Sequence, residues 1–228
     1  MSDATQGARD PYAHMSTQGM TKAELLMASP RLFQNPLLDK LSRVHWSFPL
    51  VYLPFAFWLL WKGAVELPAL ATIGCLILGY VLWTLSEYVV HRWLFHTEFQ
   101  GEIGQRIHFL LHGVHHVHPS DPLRLVMPPL MSVPLMALAY VVIGALFGPP
   151  LSYAVTAGFL FGYVFYDEIH FHVHHRAPRT RVEQILRHEH MLHHFRDPLR
   201  GFGVSCPYWD TVFHTGYTKE DKPGDKPV

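Results

Sequence analysis

The chain has 228 residues, with 18 Lys and Arg balanced by 18 Asp and Glu; 16% of residues are charged and 49% are apolar. Soluble domains carry about 25% charged residues, so this composition excludes a disordered chain, and zero net charge excludes a general nucleic-acid binder. Two cysteines exclude a disulfide scaffold or a cysteine-based zinc framework, while 18 histidines call for an explanation.

Residues 1–28 read as a flexible N-terminal tail, because the first 21 are small and polar with no apolar core of a secretory signal. Residues 29–44 contain a proline break followed by Leu37, Leu38, Leu41 and Val44 at helical spacing. That pattern predicts a helix lying at the membrane interface. Four apolar stretches follow, at 44–61, 67–85, 125–148 and 151–166. A bilayer span takes roughly 20 residues. The first three are long enough, and the fourth has to stand nearly upright or sit in a thinned bilayer.

Residues 62–66 join the first two stretches, and Pro149 and Pro150 join the last two. These are two tight hairpins whose turns face one side of the membrane. Lys62 is the only Lys or Arg in either turn, and every other one lies on the opposite side. The positive-inside rule makes that opposite side cytoplasmic. Trp46, Trp61 and Trp83 fall near the predicted interfaces, as in aromatic belts.

Ten histidines fall in four spaced groups: His91 and His96; His112, His115 and His116; His170 and His174; His190, His193 and His194. All four lie on the side assigned as cytoplasmic, an assignment made without using histidine. Residues three and four apart share a helix face. His112 with His115 and His116 can therefore point one way, as can His190 with His193 and His194, and His170 with His174. Continuing the second span as a helix puts His91 about 9 Å beyond Leu85. Neutral imidazole is the commonest metal ligand and suits zinc, iron, copper and nickel. Ten imidazoles are too many for one ion and about right for two. His108, His172, His175 and His188 flank the groups, and His14, His45, His118 and His214 stand apart. A zincin-type protease is excluded, since Leu192 occupies the fourth position after His188. The predicted fold is all-α: an integral membrane protein of about four transmembrane helices in two hairpins, with a cytoplasmic His-rich helical cap holding two metals.

The string Glu87-Tyr88-Val89-Val90-His91-Arg92-Trp93-Leu94-Phe95-His96 resembles the first His box of the fatty acid hydroxylase / sterol desaturase superfamily. Residues 108–116, 124–129, 166–170 and 201–204, with Trp209-Asp210, resemble its fatty acid 2-hydroxylase branch in particular. The resemblance covers 29–217, taken as one membrane domain, and leaves 218–228 as a C-terminal tail. It implies a two-iron centre, with zinc able to replace iron in purified members, and O2 as co-substrate. The implied metal ligands are His91, His96, His112, His115, His116, His170, His174, His190, His193 and His194. Tyr166 and Asp167 match positions beside that centre and are the candidate catalytic residues. In this reading Asp167 orients a ligand imidazole through its free N–H. Many members carry a fused cytochrome b5 domain where this chain has a short tail. The expectation is a compact form in a bacterial inner membrane, served by a separate electron donor such as a cytochrome b5 or ferredoxin.

The implied activity is O2-dependent hydroxylation of a lipid acyl chain, at C2 of a fatty acid or acyl lipid. An unactivated C–H bond is beyond ordinary acid–base side chains and calls for an oxidising metal. Within enzymes, the alternatives are desaturation, or hydroxylation of a sterol, carotenoid or lipid headgroup. Outside enzymes, the alternatives are metal transport or storage; transport would predict polar ligands within the spans, whereas the patterned histidines lie beyond them.

Overall fold

The computed structural model describes residues 19–97 and 99–218. Most of the N-terminal tail, and all of the C-terminal tail except Thr218, lie outside the described residues. Two short helices open the fold: α1 (Lys22–Met27), held by a Thr21/Glu24 capping box, and α2 (Pro36–Leu41), capped by Asn35 with Pro36 in its first turn. A 3₁₀ turn, Phe48–Tyr52, leads into α3 (Leu53–Glu66). Helix α4 (Ala69–Val90) continues as a π-helical turn, His91–Phe95. Helix α5 (Gly101–His108) runs through a second π-turn, Phe109–Gly113, into α6 (Val114–Val117). Then come α7 (Pro129–Phe147), α8 (Leu151–His175), α9 (Arg181–Phe195) and α10 (Tyr208–Val212). No strand forms among the described residues.

Three helical segments are long and apolar enough to cross a bilayer: Phe48–Glu66, Ala69–Phe95 and Pro129–Phe147. The chain is an integral membrane protein. Helix α8 is the axis of the bundle, buried along most of its length, with α3, α4 and α7 packed around it. Glycines let α4 approach α8 closely. A Cβ on Gly158 would stand 2.2 Å from the Leu76 carbonyl oxygen, and one on Gly79 would stand 2.0 Å from that of Val155. Substitution of Gly158 by alanine is therefore expected to cost about 1–3 kcal/mol through overpacking, read as a lowered midpoint of thermal unfolding in detergent.

Several boundaries differ from the sequence-based expectation, each for a physical reason. The first span begins at Phe48 rather than 44, because Val44 is held by its N–H to the Leu123 carbonyl at 2.6 Å. The third begins at Pro129 rather than 125. A residue before proline is pushed out of the α region, and Met127 and Pro128 both precede prolines, so 125–128 cross the core without helix. The fourth stretch is part of a 25-residue helix. Its polar residues from Asp167 onward interrupt the hydropathy and leave the helix intact. The expected interface helix at 29–44 shrinks to α2, although Leu37, Leu38 and Leu41 do face outward. Trp83 belongs to the core rather than to an interface belt, packed edge-on against Phe159 and Tyr163 at 5.2 Å.

A buried ionic knot ties the segment before α3 to the loop before α7. Asp39 pairs with Arg43 at 3.1 Å and with Arg124 at 3.2 Å, and Arg124 also faces Asp121 at 3.5 Å. His118 is buried nearby, and its Nδ1–H donates to the Leu25 carbonyl at 2.6 Å, anchoring α1.

Candidate metal centre

The ten patterned histidines converge above the membrane-crossing bundle in two groups of five. One holds His91, His96, His112, His116 and His193; the other holds His115, His170, His174, His190 and His194. Within each group one ring nitrogen from every residue lies within 4.8 Å of all the others. The groups are neighbours: His116 and His194, one from each, have ring centres 4.4 Å apart.

Each HxxHH box is split between the two groups, which corrects the expectation that its three members point one way. The pairs four apart, His112/His116 and His190/His194, stay together. The third member, His115 or His193, crosses to the other group. Successive residues of a helix differ by about 100°, so a box whose axis lies between two centres serves both. The π-turns supply the remaining phase. Five residues apart on an α-helix, His91 and His96 would diverge by about 140°. The π-turn at His91–Phe95 widens the coil enough to bring their Nε2 atoms to 3.2 Å. The second π-turn delivers His112 against Phe95, with rings stacked at 5.0 Å.

The ring nitrogens are arranged for a Lewis acid. A carbonyl can only accept, so the Nδ1 facing it must carry the ring proton. His91 Nδ1–H donates to the Phe202 carbonyl at 2.6 Å, and His193 Nδ1–H donates to that of Arg200 at 2.7 Å. Each ring then turns a bare lone pair at Nε2 inward. His91 Nε2 meets the Nε2 atoms of His112 and His96 at 3.1 and 3.2 Å, and His193 Nε2 is buried with no hydrogen-bond partner. In the second group the Nε2 contacts are 3.0 Å for His170 with His115, 2.8 Å for His174 with His190, and 3.1 Å for His194 with His190. Two nitrogens bound to one ion at about 2.1 Å and at right angles stand about 3.0 Å apart. Burial drives the rings toward their neutral form. His193 is pushed down to about 4 despite the opposing Arg200 carbonyl, and His112, His115, His190 and His194 are also held well below the ordinary imidazole value. Neutral imidazole is the form that binds metal. The donor set therefore fits a pair of first-row transition ions.

The residues that orient the first group were not legible in advance as a set. Phe202 and Arg200 lie in a loop clamped by two buried carboxylates. Asp210 accepts the N–H groups of Phe202 and Gly203, each at 2.8 Å, and Thr215 Oγ1–H at 2.7 Å. Glu87, on α4, accepts the Ser205 N–H at 2.8 Å and its hydroxyl as well. The chain of contacts runs from Asp210 through the Phe202 peptide to His91. The sequence signals were the Gly201-Phe202-Gly203-Val204 run and Trp209-Asp210.

Tyr166 and Asp167 lie about one helical turn before His170 and two before His174 on α8. The Tyr166 ring is 5.7 Å from that of His170. Asp167 is buried and aims its carboxylate at the Met127 N–H, 3.3 and 3.4 Å from the two oxygens, rather than at an imidazole. His172 faces Glu183 at 3.7 Å and His188 faces Glu189 at 3.7 Å, both outside the two groups.

An apolar cavity of about 340 Å³ opens beside both groups. His112, His115 and His170 form part of its wall, with Tyr166, Asp167 and Arg124, and aliphatic side chains make up most of the rest.

Comparison with known proteins places this arrangement in a family. The fatty acid hydroxylase model matches residues 76–215. A dihydroceramide fatty acyl 2-hydroxylase of Arabidopsis thaliana is 37% identical over 188 residues, 82% of this chain and 79% of that protein. The ceramide very long chain fatty acid hydroxylase of Saccharomyces cerevisiae is 38% identical over 201 residues, 87% of this chain and 52% of that protein. The fatty acid 2-hydroxylase of Homo sapiens is 34% identical over 208 residues, 81% of this chain and 56% of that protein. A solved structure of full-length scs7p, in which only the hydroxylase domain is visible, matches with a TM-score of 0.78 at 37% identity, covering 85% of this chain and 74% of that one. Spacing, burial, fold and sequence agree, and the chain belongs to the fatty acid hydroxylase family.

Proposed function

We propose that this oxidoreductase hydroxylates the acyl chain of a fatty acid or acyl lipid at C2, using a pair of iron ions held by the ten histidines. One observation carries the reading: the two imidazole groups meet at the wall of an apolar cavity continuous with the membrane-crossing bundle. Ions held there supply what acid–base side chains lack, the coupling of O2 reduction to oxidation of an unactivated C–H bond. The electrons come from a separate donor protein. Zinc suits the same ligands and can occupy them in purified protein.

The protein's own part is placement. The aliphatic wall excludes water from the acyl chain. Asp167 fixes the Met127 backbone, and with it the non-helical 125–128 segment that forms one side of the cavity. Tyr166 holds its ring against the His170 imidazole and the bound chain. Arg124 is the cationic group of the cavity, suited to donate to the carbonyl oxygen of the substrate. That places the first carbons past the carbonyl beside the histidines and favours C2 over mid-chain attack. Four crossings, with α8 shielded by the other three, and a cytoplasmic metal centre are supported by the confinement of Lys and Arg, Lys62 apart, to one side.

Chelation of the ions is expected to lower the unfolding midpoint markedly, because an ion present at a thousand times its Kd contributes about 4 kcal/mol. Unfolding scans with and without chelator, followed by iron re-addition, check this. The reaction is tested by extracting lipids from cells expressing the chain or its His112→Ala variant, with fragmentation to locate any change. One added oxygen at C2, seen only with the unaltered chain, is the expected result. Loss of two hydrogens would reassign the centre to desaturation, and oxygen placed mid-chain would overturn the C2 assignment.

A further inference from the structure

A second apolar cavity, also about 340 Å³, lies lower in the bundle between α4, α7 and α8. It shares Phe95, Met127 and Tyr166 with the cavity beside the histidines. Two of these three touch one imidazole group each. Phe95 stacks on His112 at 5.0 Å, and Tyr166 lies 5.7 Å from His170. The three side chains thus form a neck directly beneath both histidine groups. Below the neck, Leu135, Ala139, Val142 and Leu146 repeat at three- and four-residue spacing and turn one stripe of α7 toward the cavity. Phe147 closes α7, the end away from the histidines, and Phe159 lies higher, 11 positions before His170 on α8.

We infer that this second cavity is the chamber for the acyl tail, that the Phe95–Met127–Tyr166 neck fixes which carbon faces the histidines, and that Phe159 and, beyond it, Phe147 set the preferred chain length. The inference rests on the acyl-hydroxylase reading and extends it to a tail site and a length ruler. Three features argue for a tail rather than a headgroup. The lining is aliphatic and aromatic apart from Ser86 and Glu87, and the Glu87 carboxylate is engaged by Ser205. The chamber lies at the depth of segments that cross the bilayer. The Arg124 guanidinium borders the other cavity, above the neck, and no Lys or Arg lines this one. The dimensions also fit. From His170 to Phe159 is 11 positions of α8, roughly 16 Å at 1.5 Å per residue. An extended chain advances roughly 1.2 Å per bond, so about a dozen bonds separate the oxidised carbon from Phe159, with Phe147 beyond it.

The binding test uses palmitic acid carrying a diazirine at its methyl end, added to the metal-loaded protein in detergent and photolysed. Label on the peptides carrying Phe147 and Phe159, competed away by unlabelled palmitic acid, is expected. Label confined to outward residues such as Val141, label that does not compete, or no label overturns the tail assignment. The ruler is tested in cells by product lengths. One methylene in an apolar pocket is worth about tenfold or more in selectivity. Ala139→Phe, which fills the chamber, is expected to lower the ratio of long to short hydroxylated chains at least about tenfold. Phe147→Ala, which deepens it, is expected to raise that ratio. Metal content equal to that of the unaltered chain verifies that both variants are folded. An unchanged length profile in both folded variants overturns the ruler. If the unaltered chain yields no hydroxylated lipid, the reaction assignment fails, while the photolabelling result still decides where the tail lies.

Discussion

Replacing His112 by alanine is expected to remove hydroxylation entirely while leaving the protein in the membrane. His112 Nε2 sits 3.1 Å from the Nε2 atoms of both His91 and His116, so it is a hub of the first group. Outer residues that merely orient a metal ligand typically cost 10- to 100-fold in activity or affinity when changed. Loss of a hub nitrogen should exceed that. His194→Ala makes the same test on the second group, where His194 Nε2 lies 3.1 Å from that of His190. Elemental analysis of purified protein should show each variant depleted of metal at its own group. Normal turnover with full metal content in either variant would remove the ligand assignment.

The second large effect is expected at Asp210, which touches no imidazole. Its two oxygens hold the Phe202 and Gly203 N–H groups, and the Phe202 carbonyl in turn fixes the proton and ring plane of His91. Asp210→Ala frees that loop and should lower turnover about 10- to 100-fold, with metal lost first from the group containing His91. Asp210→Asn keeps one acceptor oxygen and should fall between the alanine variant and the unaltered chain. Iron titration of the apoprotein separates this from general unfolding. A specific role predicts weakened binding at one of two sites, whereas unfolding predicts loss at both.

The crossing segments and the ten histidines were legible from the sequence because both are strong local signals, apolar runs and a rare residue at helical spacing. The division of histidines between two centres was not. Phase along a helix says which residues share a face, but not how many centres that face meets, and His115 and His193 each part from their box neighbours in space alone. The orienting groups were hidden for another reason. Backbone carbonyls at Phe202 and Arg200 carry no side-chain signature, so only the Gly-Phe-Gly run and Asp210 hinted at that loop. Asp167 looked like a partner for an imidazole by proximity, yet its carboxylate goes to Met127, whose N–H is freed where two prolines bar the helix. Hydropathy ended the fourth stretch at the first acidic residues, although helical hydrogen bonding continues to His175.

The π-turn at His91–Phe95 bears on which insertions and deletions the protein can survive. Such a turn amounts to an α-helical turn with one extra residue absorbed into it. Removing a single outward residue there, such as Trp93, would turn HxxxxH into HxxxH. If the coil then tightens to ordinary α geometry, the two imidazoles are four apart and again share a face. The length of this box is therefore free to vary by one residue where its angular phase is not. Two relatives that differ by a gap at this point can hold the same pair of histidines over the same ion.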